Sequence, residues 1–202
     1  MRLLELFSGT GSIGKAFREQ GWEVISLDIK PRSGADIIAD ILTWDYKTFE
    51  KGHFDAIWGS PCCTHFSRAC TTARTPRNLE WADSLVAKTI EIIHYFEPKI
   101  WCFENPQTGL LKDREVVRNI PCKDVSYCSY GYLYRKYTRL WTNSQRWKPR
   151  PLCCKANPCE NVVEGRHPMT AQRRPSKGTG GHDVCTLAQL YSIPPLLCQE
   201  IA

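Results

Sequence analysis

Three side chains of complementary chemistry stand far apart in this chain: a thiol at Cys62, a carboxyl group at Glu104 and a guanidinium at Arg139. Cys62 follows Pro61 in W-G-S-P-C-C-T-H-F-S, Glu104 opens E-N-P, and Arg139 lies in Y-R-K-Y-T-R-L-W-T-N. Presented from one edge of a sheet, the three suit attack on an electron-poor ring. The thiolate adds, the carboxyl group protonates or hydrogen-bonds a ring nitrogen, and the guanidinium holds a carbonyl oxygen. The adjacent Cys62 and Cys63 could instead be metal ligands, disulfide partners or buried thiols.

A second constellation precedes them. L-E-L-F-S-G-T-G-S-I-G carries Gly9, Gly11 and Gly14 as G-x-G-x-x-G, leaving an apolar strand and opening a helix. Glycines there let the backbone turn sharply and approach a ligand. Asp28, 19 residues after Gly9, ends the next strand, where a carboxylate binds ribose hydroxyls. Asp40, in I-I-A-D-I-L, can accept from an adenine amino group. An adenosine-type ligand follows; this loop alone leaves open a dinucleotide or S-adenosylmethionine.

Alternating elements must position these groups. R-L-L-E-L-F, W-E-V-I-S-L-D, F-D-A-I-W and K-I-W-C-F-E read as strands. S-I-G-K-A-F-R-E-Q, closed by Gly21, and D-S-L-V-A-K-T-I-E-I-I-H-Y-F, stopping before Pro98, read as helices. Strands alternating with helices predict a mostly parallel, doubly wound α/β sheet. The expected organisation is a catalytic domain over 1–147, a short irregular basic insertion over 148–183, and a terminal helix within 184–202 that packs back on the domain.

Composition narrows the class. With 42% hydrophobic and 24% charged residues, the 202-residue chain is ordinary for a soluble domain. No apolar run approaches the roughly 20 residues that cross a membrane. Glu5 interrupts the first apolar stretch, which makes a poor signal peptide and a good strand. Eleven cysteines, an odd number without an export signal, read as reduced thiols of an intracellular protein. Net charge is +6, and between Ser144 and Asp183 eight basic residues face three acidic ones. Such a stretch is either a solvated surface or a nucleic-acid contact.

In order and over nearly its whole length the chain resembles the cytosine-C5 DNA methyltransferases. L-F-S-G-T-G-S resembles their loop for S-adenosylmethionine, S-P-C-C-T-H-F-S their Pro-Cys-Gln-x-Phe-Ser nucleophile motif, and F-E-N-P their Glu-Asn-Val motif. T-R-L-W falls at Gln-x-Arg-x-Arg, and S-I-P-P-L-L-C-Q-E-I-A at their last motif. The resemblance implies a Rossmann-like class I S-adenosylmethionine-dependent methyltransferase fold. It makes Cys62 the nucleophile toward cytosine C6, with Glu104 on N3 and the amino group, Asn105 beside it, and Arg139 holding the base or the Cys62 side. Phe7, Ser8, Gly9, Thr10, Gly11, Ser12, Asp28, Ile29, Asp40, Ile41, Ser60 and Pro61 fall at cofactor positions. The implied partner is double-stranded DNA whose target base is flipped out; no membrane is implied, and a monomer is expected.

The departures are specific. Cys63 replaces glutamine, Pro106 replaces valine, Tyr137 replaces the first arginine, and Tyr191 replaces an asparagine of the last motif. Only about forty residues, carrying most of the excess positive charge, stand where the family has a sizeable recognition domain, which predicts a short or relaxed target sequence. Ser67, Arg146, Lys148, Arg173, Arg174 and Lys177 are the expected DNA contacts. Cys153, Cys154, Cys159 and His167 offer a zinc set able to staple a segment poor in apolar residues. Three other readings compete: the same chemistry on transfer RNA, a catalytically silent DNA-binding paralogue, and a nicotinamide-dependent oxidoreductase. The intact Cys62, Glu104 and Arg139 oppose the second, and no hydride-transfer site supports the third.

Overall fold

A computed structural model describes residues 1–68, 76–172 and 183–202. Arg173, Arg174 and Lys177, with Cys70 and His182, lie outside the described residues.

The chain builds a seven-stranded sheet in the order β3-β2-β1-β4-β5-β7-β6. Five strands are parallel neighbours: β1 (Arg2–Leu6), β2 (Glu23–Asp28), β3 (Ile37–Ile38), β4 (Ala56–Gly59) and β5 (Ile100–Pro106). β7 (Tyr137–Thr142) runs antiparallel to both β5 and β6 (Cys122–Ser126). The central strands are buried on both faces, which is why they are nearly continuous apolar runs; Leu3, Leu4 and Leu6 of β1 have no exposed surface.

Two cores flank the sheet. α1 (Ser12–Arg18) and α4 (Pro195–Ile201) cover one face, where Phe17, Trp22, Trp58, Leu197 and Ile201 interlock. The terminal segment is anchored there by Ile193 N–H, which donates to Ser12 Oγ at 3.0 Å. It forms two helices, because Ser192 to Pro194 interrupts α3 (Leu187–Tyr191) before α4 begins. α2 (Leu79–Phe96) covers the other face with Ala82, Leu85, Val86, Thr89, Ile92, Ile93 and Phe96, a stripe at helical spacing.

α2 starts earlier than its apolar pattern indicates, because Asn78 caps it by accepting from Trp81 N–H at 2.9 Å. That cap contributes about 1 kcal/mol. Each buried Leu, Ile or Phe contributes about 1.5–3 kcal/mol, so packing holds the helix and the cap sets where it begins. Beyond β7 the fold thins to a lobe that ends in a two-stranded pair, β8 (Met169–Thr170) and β9 (Asp183–Val184). Among the described residues no helix is long and apolar enough to cross a membrane.

Candidate active site at the carboxyl edge

β1, β2, β4 and β5 end at one edge, and the loops that leave them form the site. After β1 the chain turns through Phe7 and Gly9, both at positive φ (59° and 52°), and enters α1 from left-handed Gly11. Asp28 secures this turn: Oδ2 accepts Gly9 N–H and Oδ1 accepts Lys30 N–H, each at 2.8 Å. Its carboxylate is thus oriented by the loop it faces. Ile29 beside it is 59% exposed, an apolar surface suited to an adenine face. Asp40 follows β3, its Oδ1 accepting Leu42 N–H at 3.0 Å. Gly9 and Thr10 are exposed, Ser8 is buried, and the Ser12 hydroxyl is engaged by Ile193. The Ile41 side chain is buried with Leu4, Leu6 and Leu27, which leaves its backbone as the part at the edge.

The β4 and β5 loops are sewn together. Asn105 Nδ2 donates to the Pro61 carbonyl at 2.9 Å, fixing the backbone one residue before Cys62. Leu110 N–H donates to Phe66 O at 2.9 Å, and Phe66 is fully buried. At Gly109 a Cβ would meet Pro106 O at 3.0 Å and Phe66 O at 3.3 Å, so glycine permits this approach. His65 supports α2: its Nδ1 accepts Asn78 N–H at 2.9 Å and its ring meets Trp81 edge-on. Ser67 O accepts from Arg77 at 2.8 Å.

The two cysteines differ in environment. Cys62 is exposed and its thiol donates to Thr64 Oγ1 at 3.3 Å. Cys63 turns inward, where burial, then the Glu104 carboxylate, push its thiol up to about 11. Burial therefore favours the neutral thiol at Cys63, whereas Cys62 is the exposed member of the pair.

Glu104 is half-buried, and burial raises it above the usual carboxylate range against the opposing pull of the Lys136 ammonium. Its Oε2, with Ser60 Oγ and Asn105 Oδ1, is enclosed and has no hydrogen-bond partner among the described residues.

Arg139 does not join this group. It pairs with Asn105 in register while Glu104 pairs with Leu140, so Arg139 projects from the opposite sheet face. There Asp124 holds its guanidinium in a fork at 2.7 and 2.8 Å. Lys136, two and four residues ahead of Thr138 and Leu140, shares the Glu104 face. Its Nζ donates to Leu190 O at 2.8 Å and lies 4.8 Å from the Tyr127 ring centre. The sequence pattern contained this signal, since alternation along Lys136, Thr138 and Leu140 excludes Arg139, but reading it requires the β5–β7 register.

The basic residues divide as well. β7 runs back toward the amino edge, so Arg146 and Lys148, exposed just beyond it, stand at the end of the sheet away from Cys62. Among the expected zinc ligands, Cys153, Cys159 and His167 converge, but Cys154 is exposed in a turn closed by its exchange of backbone bonds with Asn157. Cys128, from the turn after β6, takes the fourth place.

Comparison with known proteins narrows these findings to one family. A model of C-5 cytosine-specific DNA methylases matches residues 1–135. Over its full length the chain is 34% identical to a frog virus 3 (isolate Goorha) protein described as a probable DNA (cytosine-5)-methyltransferase, covering 98% of it. Entamoeba histolytica methyltransferase EhMeth superposes with a TM-score of 0.54 at 16% identity, over 75% of this chain and 56% of its own. S. pombe Dnmt2 methyltransferase gives 0.51 at 18% identity, over 74% and 53%. At such identities these structures show a shared class I methyltransferase fold, and this chain spans about half their length.

Proposed function

The chain belongs to the C-5 cytosine-specific DNA methylase family, and on that premise we propose that it methylates C5 of a flipped-out cytosine in DNA through a covalent Cys62–C6 adduct. The observation that carries this reading is the enclosed, partnerless Oε2 of Glu104. An orphaned buried oxygen costs about 1–3 kcal/mol, a cost removed when the cytosine amino group donates to the carboxyl group while N3 accepts its proton.

The Cys62 sulfur bonds to C6 while Glu104 gives its proton to N3, which makes C5 electron-rich. S-adenosylmethionine supplies an electrophilic methyl group on a sulfonium sulfur. Loss of the C5 proton to a base, departure of the Cys62 thiolate and return of the N3 proton to Glu104 restore the ring and the enzyme. Burial of Glu104 favours its protonated form, the form this step requires. Asn105 holds the loop through Pro61. Lys136 supplies the positive charge on the Glu104 face that Arg139, held by Asp124, does not.

For the cofactor, the residues fit. Gly9, Gly11 and Thr10 leave the backbone open, Asp28 faces the loop, Ile29 offers an apolar surface, and Asp40 and Ser60 flank it along the edge. With 148–172 as the described basic lobe, a short or relaxed target sequence is the consistent reading.

The test is a covalent trap on duplex DNA containing 5-fluorocytosine with S-adenosylmethionine, with RNA of the same sequence in parallel. Wild type and Cys63→Ser should each form a stable adduct on DNA, and Cys62→Ser none. An adduct lost in Cys63→Ser but kept in Cys62→Ser reverses the assignment, and an adduct on RNA alone changes the acceptor.

A further inference from the structure

We propose that Cys128, Cys153, Cys159 and His167 bind a single structural zinc ion that fastens the basic lobe to the catalytic sheet. The four ligand atoms lie within 4.8 Å of one another, although Cys128 is 25 residues from Cys153 in the chain. Cys153 Sγ stands 3.6 Å and Cys159 Sγ 3.4 Å from His167 Nε2. A tetrahedral zinc ion with its usual Zn–S and Zn–N bonds separates a sulfur and a nitrogen ligand by about 3.5 Å. Both distances agree with that value. A disulfide between two of the thiols would instead leave the imidazole and the third sulfur without a function, and all four cysteines of the region are free.

The surroundings suit thiolates bound to a cation. Cys159 N–H donates to Cys153 Sγ at 3.3 Å, a bond that favours the anionic sulfur. Backbone positions are fixed from outside: Ser126 Oγ accepts Cys153 N–H at 3.0 Å, and the Tyr137 hydroxyl donates to Cys153 O at 2.6 Å. Asn161 Nδ2 donates to Cys128 O and Tyr132 O at 3.2 and 3.3 Å. Binding would release three thiol protons to solvent and change no oxidation state. Three thiolates, a neutral imidazole and Zn²⁺ sum to one negative charge, in a lobe where Lys155 and Arg166 are exposed and basic. Four protein ligands close the coordination sphere, so the role is structural and not catalytic.

The lobe needs such a tether. Among residues 148–172, Cys153 alone is buried, so no apolar core offsets the entropy of ordering it.

The experiment is elemental analysis and thermal melting of the full chain, purified without metal-affinity steps and then exposed to zinc. Wild type should hold one zinc per chain, and Co²⁺ in its place should show the ligand-field bands of a tetrahedral thiolate site. Cys128→Ser removes a direct ligand and should lose stoichiometric zinc, while Cys154→Ser should retain it. His167→Ala should lose the metal and His167→Cys should keep it, which guards against a variant that simply misfolds. Chelation should lower the melting temperature and zinc should restore it. No stoichiometric metal in the zinc-exposed wild type, equal loss in Cys154→Ser and Cys128→Ser, or a disulfide among these residues in protein alkylated at lysis would each overturn the proposal.

Discussion

The glycine loop and the basic lobe both stand at the carboxyl edge of the sheet, but one hangs from a buried core and the other from polar tethers. Beneath the loop, Leu3, Leu4, Leu6 and Leu27 are enclosed, and its conformation is set by backbone angles and by Asp28. The lobe has one buried residue in 148–172 and is held by Tyr137, Ser126, Asn161 and the Cys/His cluster. A site shaped by backbone and core needs few particular side chains and tolerates drift elsewhere. A lobe held by side chains from distant elements depends on each of them. Glu104 lies between the two, on the strand that joins the cofactor edge to β7.

The largest effect is therefore expected where the regions meet. Glu104→Gln keeps the shape and removes the transferable proton, and should lower single-turnover methyl transfer by about 10²–10⁴-fold. Because burial raises Glu104, the wild-type rate should fall as pH climbs through that elevated value and the acid form is lost. The Gln variant should lack this limb. A rate within a few-fold of wild type would separate Glu104 from the chemistry and leave the two regions without a shared centre.

How far the sequence reveals each region follows from the same contrast. The sheet, the glycine loop, Asp28 and the Cys62 and Glu104 motifs are local patterns, readable from spacing and period. Arg139 misleads because a strand's two faces differ by one residue, and only the pairing of Asn105 with Arg139 reveals that it faces Asp124. Lys136 and Cys128 are invisible for a related reason: each acquires its partners from elements that sequence separation does not bring together.

A stability measurement addresses the core-held region alone. Glu5 lies on β1 within the apolar strand, Oε2 accepting Gly14 N–H at 3.1 Å and Oε1 enclosed without a partner among the described residues. Burial pushes it up to about 7. Its folded value exceeds its unfolded one, so the folded state binds the proton more tightly. Stability should fall as pH rises from the ordinary carboxylate range to about 7, by about 3 kcal/mol in total. Denaturant melts across that window should show the slope, and Glu5→Gln should flatten it while leaving the zinc content of the lobe unchanged. An unaltered slope in Glu5→Gln would place the titration elsewhere and weaken the contrast.

The smallest effect tests whether the lobe, and not the basic sequence as a whole, meets DNA. Lys155 and Arg166 are exposed in the part of the chain that the Cys/His cluster gathers beside β6 and β7 at the carboxyl edge. Arg146 and Lys148 carry the same charges but follow the far end of β7. Each phosphate contact adds roughly 0.9 to the slope of log affinity against log salt. Lys155→Gln with Arg166→Gln should therefore reduce that slope by about two, and Arg146→Gln with Lys148→Gln should leave it unchanged. Both double variants lose the same net charge, so a difference between them reports position and not overall electrostatics. Equal reductions would mean that the nucleic acid spans both ends of the sheet, and the lobe would then be one patch of a wider basic surface.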